Sequence, residues 1–80
     1  MVVYSLVDTD FFQVELFTDL VDLASSMEAR FNGEIEIVEF NSITFSNYSL
    51  AKVRKMLKTV EAIDVYEDNL LSFVIRRHEL

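Results

Sequence analysis

The sequence has no cysteine, no proline and no tryptophan, and it contains one glycine and one histidine among 80 residues. Without cysteine, disulfide bonds, thiolate metal sites and thiol catalysis are excluded. Phosphate-binding loops of the P-loop and Rossmann types are excluded too, because each needs several glycines close to the phosphates. The one histidine, His78, stands beside Arg77, and we expect it to be exposed to solvent rather than to act as a catalyst or metal ligand.

Long apolar runs are also missing. No segment approaches the roughly 20 consecutive apolar residues that a membrane-spanning helix needs. The opening VVYSLV has no preceding basic segment and is too short to form the apolar part of a secretion signal. We therefore expect a cytoplasmic protein with no membrane association.

Hydrophobic residues make up 51% of the sequence, and seven phenylalanines and three tyrosines are among its largest side chains. A chain of this length has enough apolar surface for one core but not for two. We therefore expect a single α+β domain over residues 1–80.

Acidic residues are concentrated in one half of the chain. Residues 1–40 contain nine acids and one base, a charge of −8, whereas residues 41–80 contain five acids and six bases, a charge of +1. Direct binding to nucleic acid needs clustered lysine and arginine, so this distribution argues against it. It is compatible with binding to a basic protein surface, although a net charge of −7 also serves solubility alone.

The stretch VVYSLVDTDFFQVELFTDLVDL, residues 2–23, allows two interpretations. As a helix that starts at Asp10, it has an apolar face from Leu16 onward, with steps of three and four residues. At about 100° per residue, however, the apolar residues between 11 and 14 fall outside that face. A helix would therefore leave large apolar groups among the acids.

As a hairpin, the same stretch forms strands at 2–7 and 11–17 that pair across a turn at Asp8–Asp10. Apolar and polar residues alternate in both segments, which is the period of a half-buried strand. We prefer the hairpin, although this turn lacks the glycine that short hairpins favour. The pairs predicted on its buried face are Leu6 with Phe12, Tyr4 with Val14, and Val2 with Leu16.

In the hairpin interpretation, Thr18 caps a helix that runs from Asp19 to Phe31, and Gly33 ends it. In the following strand the apolar residues change faces, which indicates either partial burial of both faces or a bulge near Val38. The remaining predicted elements are strands at 34–40 and 43–46, a helix capped by Ser49, a strand at 63–66, a turn at 67–69 and a strand at 70–77.

These elements predict an α+β fold of the order ββαββαββ, a mostly antiparallel sheet with two helices packed on one face. If residues 10–32 form one helix instead, the order becomes βαββαβ, close to a ferredoxin-like arrangement.

The candidates for catalysis or metal binding are weak. Asp8 and Asp10 resemble the start of an EF-hand calcium loop, but Gln13 and Asp19 stand where that loop needs glycine and glutamate. Paired acids for glycoside hydrolysis need a cleft, for which 80 residues leave little room. We therefore expect a protein that is not an enzyme, with no catalytic, metal or cofactor-binding residues.

The acids suggest a protein-binding surface instead. Asp19 and Asp22 share a face of the first helix, and Glu34 and Glu36 share a face of the strand that follows it. Such a surface could imitate nucleic-acid phosphates and fill a basic groove of a partner, with Phe11 as an apolar anchor. The ordinary alternative is a solvated helix face and strand edge. The predicted protein-interaction residues are Asp19, Asp22, Glu34, Glu36 and Phe11.

The leading functional hypothesis is a small, acidic, non-enzymatic protein-binding protein. It would act as an inhibitor or antagonist, such as a phage- or mobile-element-encoded blocker of a nucleic-acid-binding protein. One alternative is a structural subunit that forms a homodimer or larger homo-oligomer through Phe11 and Phe17. Another is a small-ligand-sensing regulatory domain, which rests on analogy between folds alone.

Overall fold

The computed structural model describes residues 1–30, 34–40, 43–59 and 61–80. Within these ranges the element order is ββαββαββ, which agrees with the predicted pattern for a small α+β domain. The helical alternative for residues 10–17 is not observed, because residues 13–17 form a strand. The elements are β1 (Val2–Asp8), β2 (Gln13–Phe17), α1 (Leu20–Glu28), β3 (Glu34–Phe40), β4 (Ile43–Ser49), α2 (Leu50–Met56), β5 (Ala62–Glu67) and β6 (Leu70–Glu79).

The described strands form one antiparallel sheet in the order β2-β1-β6-β5-β3-β4. Because β1 pairs with β6 and β6 with β5, the β1–β2 and β5–β6 turns lie at the same end of the sheet, together with the start of β3. We call this the hairpin end. Met1, Leu80 and the start of α1 lie at the opposite end, where the Met1 ammonium donates to the Leu80 carbonyl at 3.0 Å.

A single hydrophobic cluster joins both helices to one face of the sheet. The α1 helix contacts β1 and β2, the α2 helix contacts β3 and β4, and the two helices touch each other. Removing this much apolar surface from water is the main stabilisation available to a chain without disulfides. The buried members are Leu6, Leu23, Met27, Ile35, Val38, Val53, Leu57, Ile63, Val65, Phe73 and Ile75.

The register of the first hairpin differs from the prediction by three residues. Leu6 pairs with Glu15 rather than with Phe12. Because side chains alternate between faces, an odd shift moves every β2 residue to the other side of the sheet. Val14 and Leu16 are therefore 62% and 69% exposed, whereas Phe17 packs against the core.

The turn and an ion pair explain this register. Asp8 ends β1, and its Oδ1 accepts the Asp10 N–H at 3.0 Å, so residues 9–12 form a turn longer than predicted. The Asp8 Oδ2 accepts from the Arg30 guanidinium at 3.0 Å, and the same guanidinium binds Glu15. Asp8 and Glu15 must therefore face α1 together, which places Val14 and Leu16 of β2 on the opposite face.

Helix α1 begins and ends differently from the prediction. Asp19, rather than Thr18, is the N-cap, and its carboxylate accepts the Val21 N–H at 2.8 Å. A carboxylate at this position also interacts favourably with the helix dipole. The helix ends at Glu28, where the Arg30 N–H donates to the Met27 carbonyl in a tighter turn. The predicted end at residues 31–33 lies outside the described residues.

In β3 the buried residues depart from strict alternation, although the pairing with β4 keeps one register along the strand. Ile35 and Val38 are three residues apart, yet both are buried in the same cluster. In a regular strand they would point to opposite faces. In the adjacent strand, Asn47 has a φ of 57°, the left-handed region that asparagine tolerates better than most residues. Asn47 stands between Tyr48 and Ser46, which pair with Ile35 and Ile37 of β3.

Helix α2 and the last hairpin follow the prediction closely. The Ser49 hydroxyl accepts the Lys52 N–H at 3.4 Å and caps α2 as expected. The β5–β6 turn has φ values of 52° at Asp68 and 63° at Asn69. Positive φ at both central residues is the type I′ geometry whose twist matches that of paired strands. Strands β5 and β6 both extend beyond the predicted ranges.

Candidate functional site

The most unusual surface of the described chain is at the hairpin end of the sheet. Phe11 and Phe12 lie in the β1–β2 turn and are 73% and 88% exposed. Thr9 joins this turn to the start of β6, because its N–H donates to the Ser72 carbonyl at 3.0 Å and its hydroxyl donates to the same oxygen at 3.1 Å. The turn that carries the two aromatic residues is therefore tied to the start of β6 rather than isolated.

Carboxylates lie at the same end of the sheet as these aromatic residues. Asp10 is exposed in the same turn, and Glu67 and Asp68 are exposed in the adjacent β5–β6 hairpin. Glu36 belongs to the same end, since its Oε2 accepts the Asp68 N–H at 2.9 Å. We call this set the hairpin-end surface; its members are Asp10, Phe11, Phe12, Glu36, Glu67, Asp68 and the exposed Leu70.

Phe12 is unfavourable for the fold in two ways. Its φ of 53° lies in the left-handed region, which is uncommon for a bulky side chain and costs of order 1 kcal/mol. Its ring is 88% exposed and so gains little from burial in return. Glycine or asparagine would satisfy this turn at lower cost. Residues that are costly for the fold are concentrated at functional positions.

A cation next to the β1–β2 turn is already used within the fold. Arg30 follows α1, and its guanidinium binds both Asp8 and Glu15 and lies 5.7 Å from the centre of the Phe73 ring. The Asp8 side chain is only 6% exposed, so this pair is largely shielded from solvent. The carboxylates of the hairpin-end surface are therefore left to set its charge, which is negative.

The structure separates the five predicted interaction residues into two groups. Phe11 and Glu36 belong to the hairpin-end surface, whereas Asp19 and Asp22 lie at the start of α1, at the opposite end of the molecule. Asp19 also has a structural role as the helix cap. Glu34 begins β3, and its side chain lies outside the described part of the chain.

Sequence reasoning missed several residues of this surface. Phe12 was assigned to the buried face because the predicted register was shifted by three residues. The turn at Glu67–Asn69 was predicted correctly, but only the topology brings it beside the first turn. The signal that could have drawn attention to the site is the Phe11-Phe12 pair beside Asp10.

A second surface is the face of the sheet opposite the helices. Val7 lies between Val14 and Val74 in neighbouring strands, and these three form an apolar row. The row continues to Asp64, whose carboxylate pairs with Arg76 at 2.8 Å. Most of the charge of this face is therefore neutralised within the face itself.

Tyr66 is the one described group with a clear pKa shift. Burial raises the pKa of its phenol above the usual 10.0, and the nearby Glu39 and Asp64 carboxylates raise it further. Its hydroxyl also donates to the Glu39 Oε2 at 3.4 Å, which favours the protonated phenol. Tyr66 is thus a neutral hydrogen-bond donor between two acids.

His78 is exposed, as predicted, and its Nε2 lies 2.9 Å from the Ser5 hydroxyl. Among the described residues, no group of three or more histidine, aspartate and glutamate side chains could hold a metal ion. Neither described helix has the length and apolar character needed to cross a bilayer.

The fold and surfaces define a small α+β domain with two helices on a six-stranded antiparallel sheet and an acidic, aromatic end. No protein-family model matches the chain, and neither a curated protein nor a solved structure matches it.

Proposed function

We propose that this protein is a small non-enzymatic binding protein whose hairpin-end surface docks on a basic surface of a partner protein. The observation that carries the proposal is Phe12, an exposed aromatic residue in a costly backbone conformation, at the same end of the sheet as several exposed carboxylates. Exposed aromatics are typical anchors of protein interfaces, and charges around them steer the encounter.

The kind of partner follows from the charge. A surface whose seven described residues include four carboxylates and no cation attracts a lysine- and arginine-rich groove, and nucleic-acid-binding proteins present such grooves to phosphates. The protein would then occupy the groove as a mimic of nucleic acid and act as an antagonist. A phage- or mobile-element-encoded inhibitor that works in the cytoplasm and contacts no nucleic acid itself fits this role.

The structure supports a more specific site than Asp19 and Asp22. Both acids lie on α1, far from Phe11 and Phe12, and the Asp19 carboxylate is engaged with the Val21 N–H. The hairpin end offers both the aromatic anchor and the negative rim that such an interface needs, and the start of α1 offers only the acids. Asp19 and Asp22 remain the competing site, and the two can be distinguished experimentally.

The test begins with affinity purification from the native host and mass spectrometry to name the partner, followed by titration calorimetry with the purified pair. One variant, Asp10→Asn with Glu67→Gln, removes two charges from the hairpin-end surface. A second, Phe11→Ser with Phe12→Gly, removes the aromatics from turn positions that need no buried side chain. Each should weaken binding at least tenfold, since interface anchors and charge pairs contribute about 1–2 kcal/mol or more each.

The matched control is Asp19→Ser with Asp22→Asn. It also removes two negative charges, but the serine hydroxyl keeps an N-cap acceptor for α1. Binding to the control should be close to that of the wild type, and wild-type binding should weaken with salt. Loss of binding in the control alone would assign the site to α1, and unchanged binding in all three variants would refute an acidic docking surface.

A second candidate function is self-association through the open face of the sheet. Phe17, which we expected on a self-association surface with Phe11, packs against the core. The observation that favours a homo-oligomer is instead the exposure of Val14 and Leu16 on the edge strand β2, beside the apolar row of the open face. An exposed apolar edge of a sheet is a ready contact for another copy.

Sedimentation equilibrium at rising concentration tests this candidate. If the open face mediates association, Val14→Lys with Leu16→Lys should make the protein monomeric. The similarly exposed Val21→Lys on α1 should leave the association unchanged. A wild-type protein that stays monomeric at millimolar concentration would remove this function.

A further inference from the structure

A groove runs between the two helices on the side of the molecule away from the sheet. Its volume is about 420 Å³. Apolar and small side chains from both helices line it: Leu20, Val21, Ala24 and Ser25 from α1, and Ala51 from α2. Val21 is 70% exposed and Ala51 is also exposed, so the groove is open to solvent along its rim.

One wall of the groove is basic. Arg54, Lys55 and Lys58 line it from α2 and the residues after it. Arg54 pairs with Glu28 across the groove, but no ion pair among the described residues involves Lys55 or Lys58. In a chain of net charge −7, two unpaired cations beside an apolar groove form a local surface of opposite sign.

We infer that this groove receives an acidic amphipathic helix from a partner protein. An apolar stripe would cover Leu20, Val21 and Ala51, and acidic side chains on one flank would meet Lys55 and Lys58. Such helices bind in grooves through apolar side chains spaced three and four residues apart. The small side chains Ala24, Ser25 and Ala51 allow the backbone of a third helix to come close.

The dimensions agree with a helix better than with a small ligand. The nine residues of α1 extend about 14 Å at 1.5 Å per residue, enough to contact two to three turns of a partner helix. Small-molecule sites usually enclose most of the ligand surface, which an open groove cannot do. A helix covers the exposed rim as well as the floor, and it keeps its own polar face in water.

Two synthetic peptides of about 14 residues provide the test. As helices they extend about 21 Å at 1.5 Å per residue, so they cover the groove with a terminal turn to spare. Both carry the same stripe of leucine and alanine at helical spacing, and they differ only in their flanking residues, glutamate in one and lysine in the other. Heteronuclear NMR should show the glutamate peptide shifting the backbone amides of Ala24, Ser25 and Ala51. The lysine peptide should bind at least tenfold more weakly.

Protein variants then locate the contact. Lys55→Glu with Lys58→Glu should weaken binding of the glutamate peptide about tenfold or more, because two attractive pairs of lysine with glutamate become repulsive pairs of glutamate with glutamate. Lys52→Glu is the matched control, since Lys52 lies on the same helix but does not line the groove. Circular dichroism should show all of these variants folded.

The inference is overturned if neither peptide shifts the groove amides, if both peptides bind equally, or if Lys52→Glu weakens binding as much as the double variant. The hairpin-end surface lies on other residues, so these results leave the proposed function untouched. Conversely, loss of partner binding in the hairpin-end variants says nothing against a helix in the groove.

Discussion

Replacing Arg30 by alanine should remove a large part of the stability of this protein. The guanidinium binds Asp8, whose side chain is 6% exposed, and Glu15, which is more accessible, and it stacks over Phe73. Loss of the cation leaves Asp8 with the Asp10 N–H as its remaining hydrogen bond in the described contacts.

The magnitude can be worked from these contacts. A buried carboxylate deprived of its cation costs about 1–3 kcal/mol, the more exposed Glu15 pair at most about 1 kcal/mol, and the aromatic contact about 0.5–1 kcal/mol. Together they give about 1.5–5 kcal/mol, against about 4–12 kcal/mol for the unfolding of a domain of 80 residues. At roughly 4–8 °C per kcal/mol, the Tm should fall by about 6–40 °C.

Urea denaturation followed by circular dichroism measures this loss, and a thermal scan provides the Tm. The control is Arg54→Ala, which breaks an ion pair to Glu28 whose side chains are both more than one-third exposed, so its cost should stay below about 1 kcal/mol. In an Asp8→Asn background the Arg30→Ala cost should become smaller, because the buried charge is gone. A cost below about 0.5 kcal/mol for Arg30→Ala, or costs that simply add, would refute this explanation of the hairpin register.

The remaining predictions concern the turn, a helix cap and a tyrosine. Phe12→Gly should raise the free energy of unfolding by about 0.5–1 kcal/mol in urea titrations, because it relieves a left-handed φ at an exposed position; a lower stability would contradict the strain. Ser49→Ala should lower the free energy of unfolding by about 1 kcal/mol through loss of the α2 cap, and Ser49→Asp should largely restore the wild-type value. In an alkaline titration followed by tyrosinate absorbance, Tyr66→Phe should remove a transition that lies above pH 10.0, whereas removal of a transition at or below that pH would contradict the shift. The pKa of Tyr66 is higher in the folded than in the unfolded protein, so the protonated phenol stabilises the fold at neutral pH. This stabilisation is lost as the pH rises through the folded pKa. Tyr66→Phe should therefore abolish that part of the alkaline destabilisation.

The first hairpin shows how far local sequence patterns can be trusted. The alternation of apolar and polar residues correctly favoured two strands over a helix in residues 2–17. Over that length the two-residue period of a strand is easily distinguished from the roughly 3.6-residue period of a helix. It did not determine the register, since Val14 and Leu16 alternate equally well in either alignment. The decisive contact, Arg30 with Asp8 and Glu15, joins residues up to 22 positions apart in the chain.

The candidate site divides in the same way. Phe11 and Glu36 were predicted from local charge and aromatic content, and both lie on the hairpin-end surface. Asp19 and Asp22 carry the same kind of charge, yet the fold places them at the other end of the sheet. Whether two acids belong to one surface depends on strand order, which charge alone does not specify.

The sequence by itself determined the class of fold and the order of its elements. Period, caps and turn residues act over a few positions, so Ser49 and the Glu67–Asn69 turn could be identified without any long-range information. Only the tertiary structure decided the strand order, the register of β2 and the meeting of the two turns, because each depends on contacts between residues distant in the chain. The same contacts turned Phe12 from a predicted core residue into the most exposed aromatic at the candidate site.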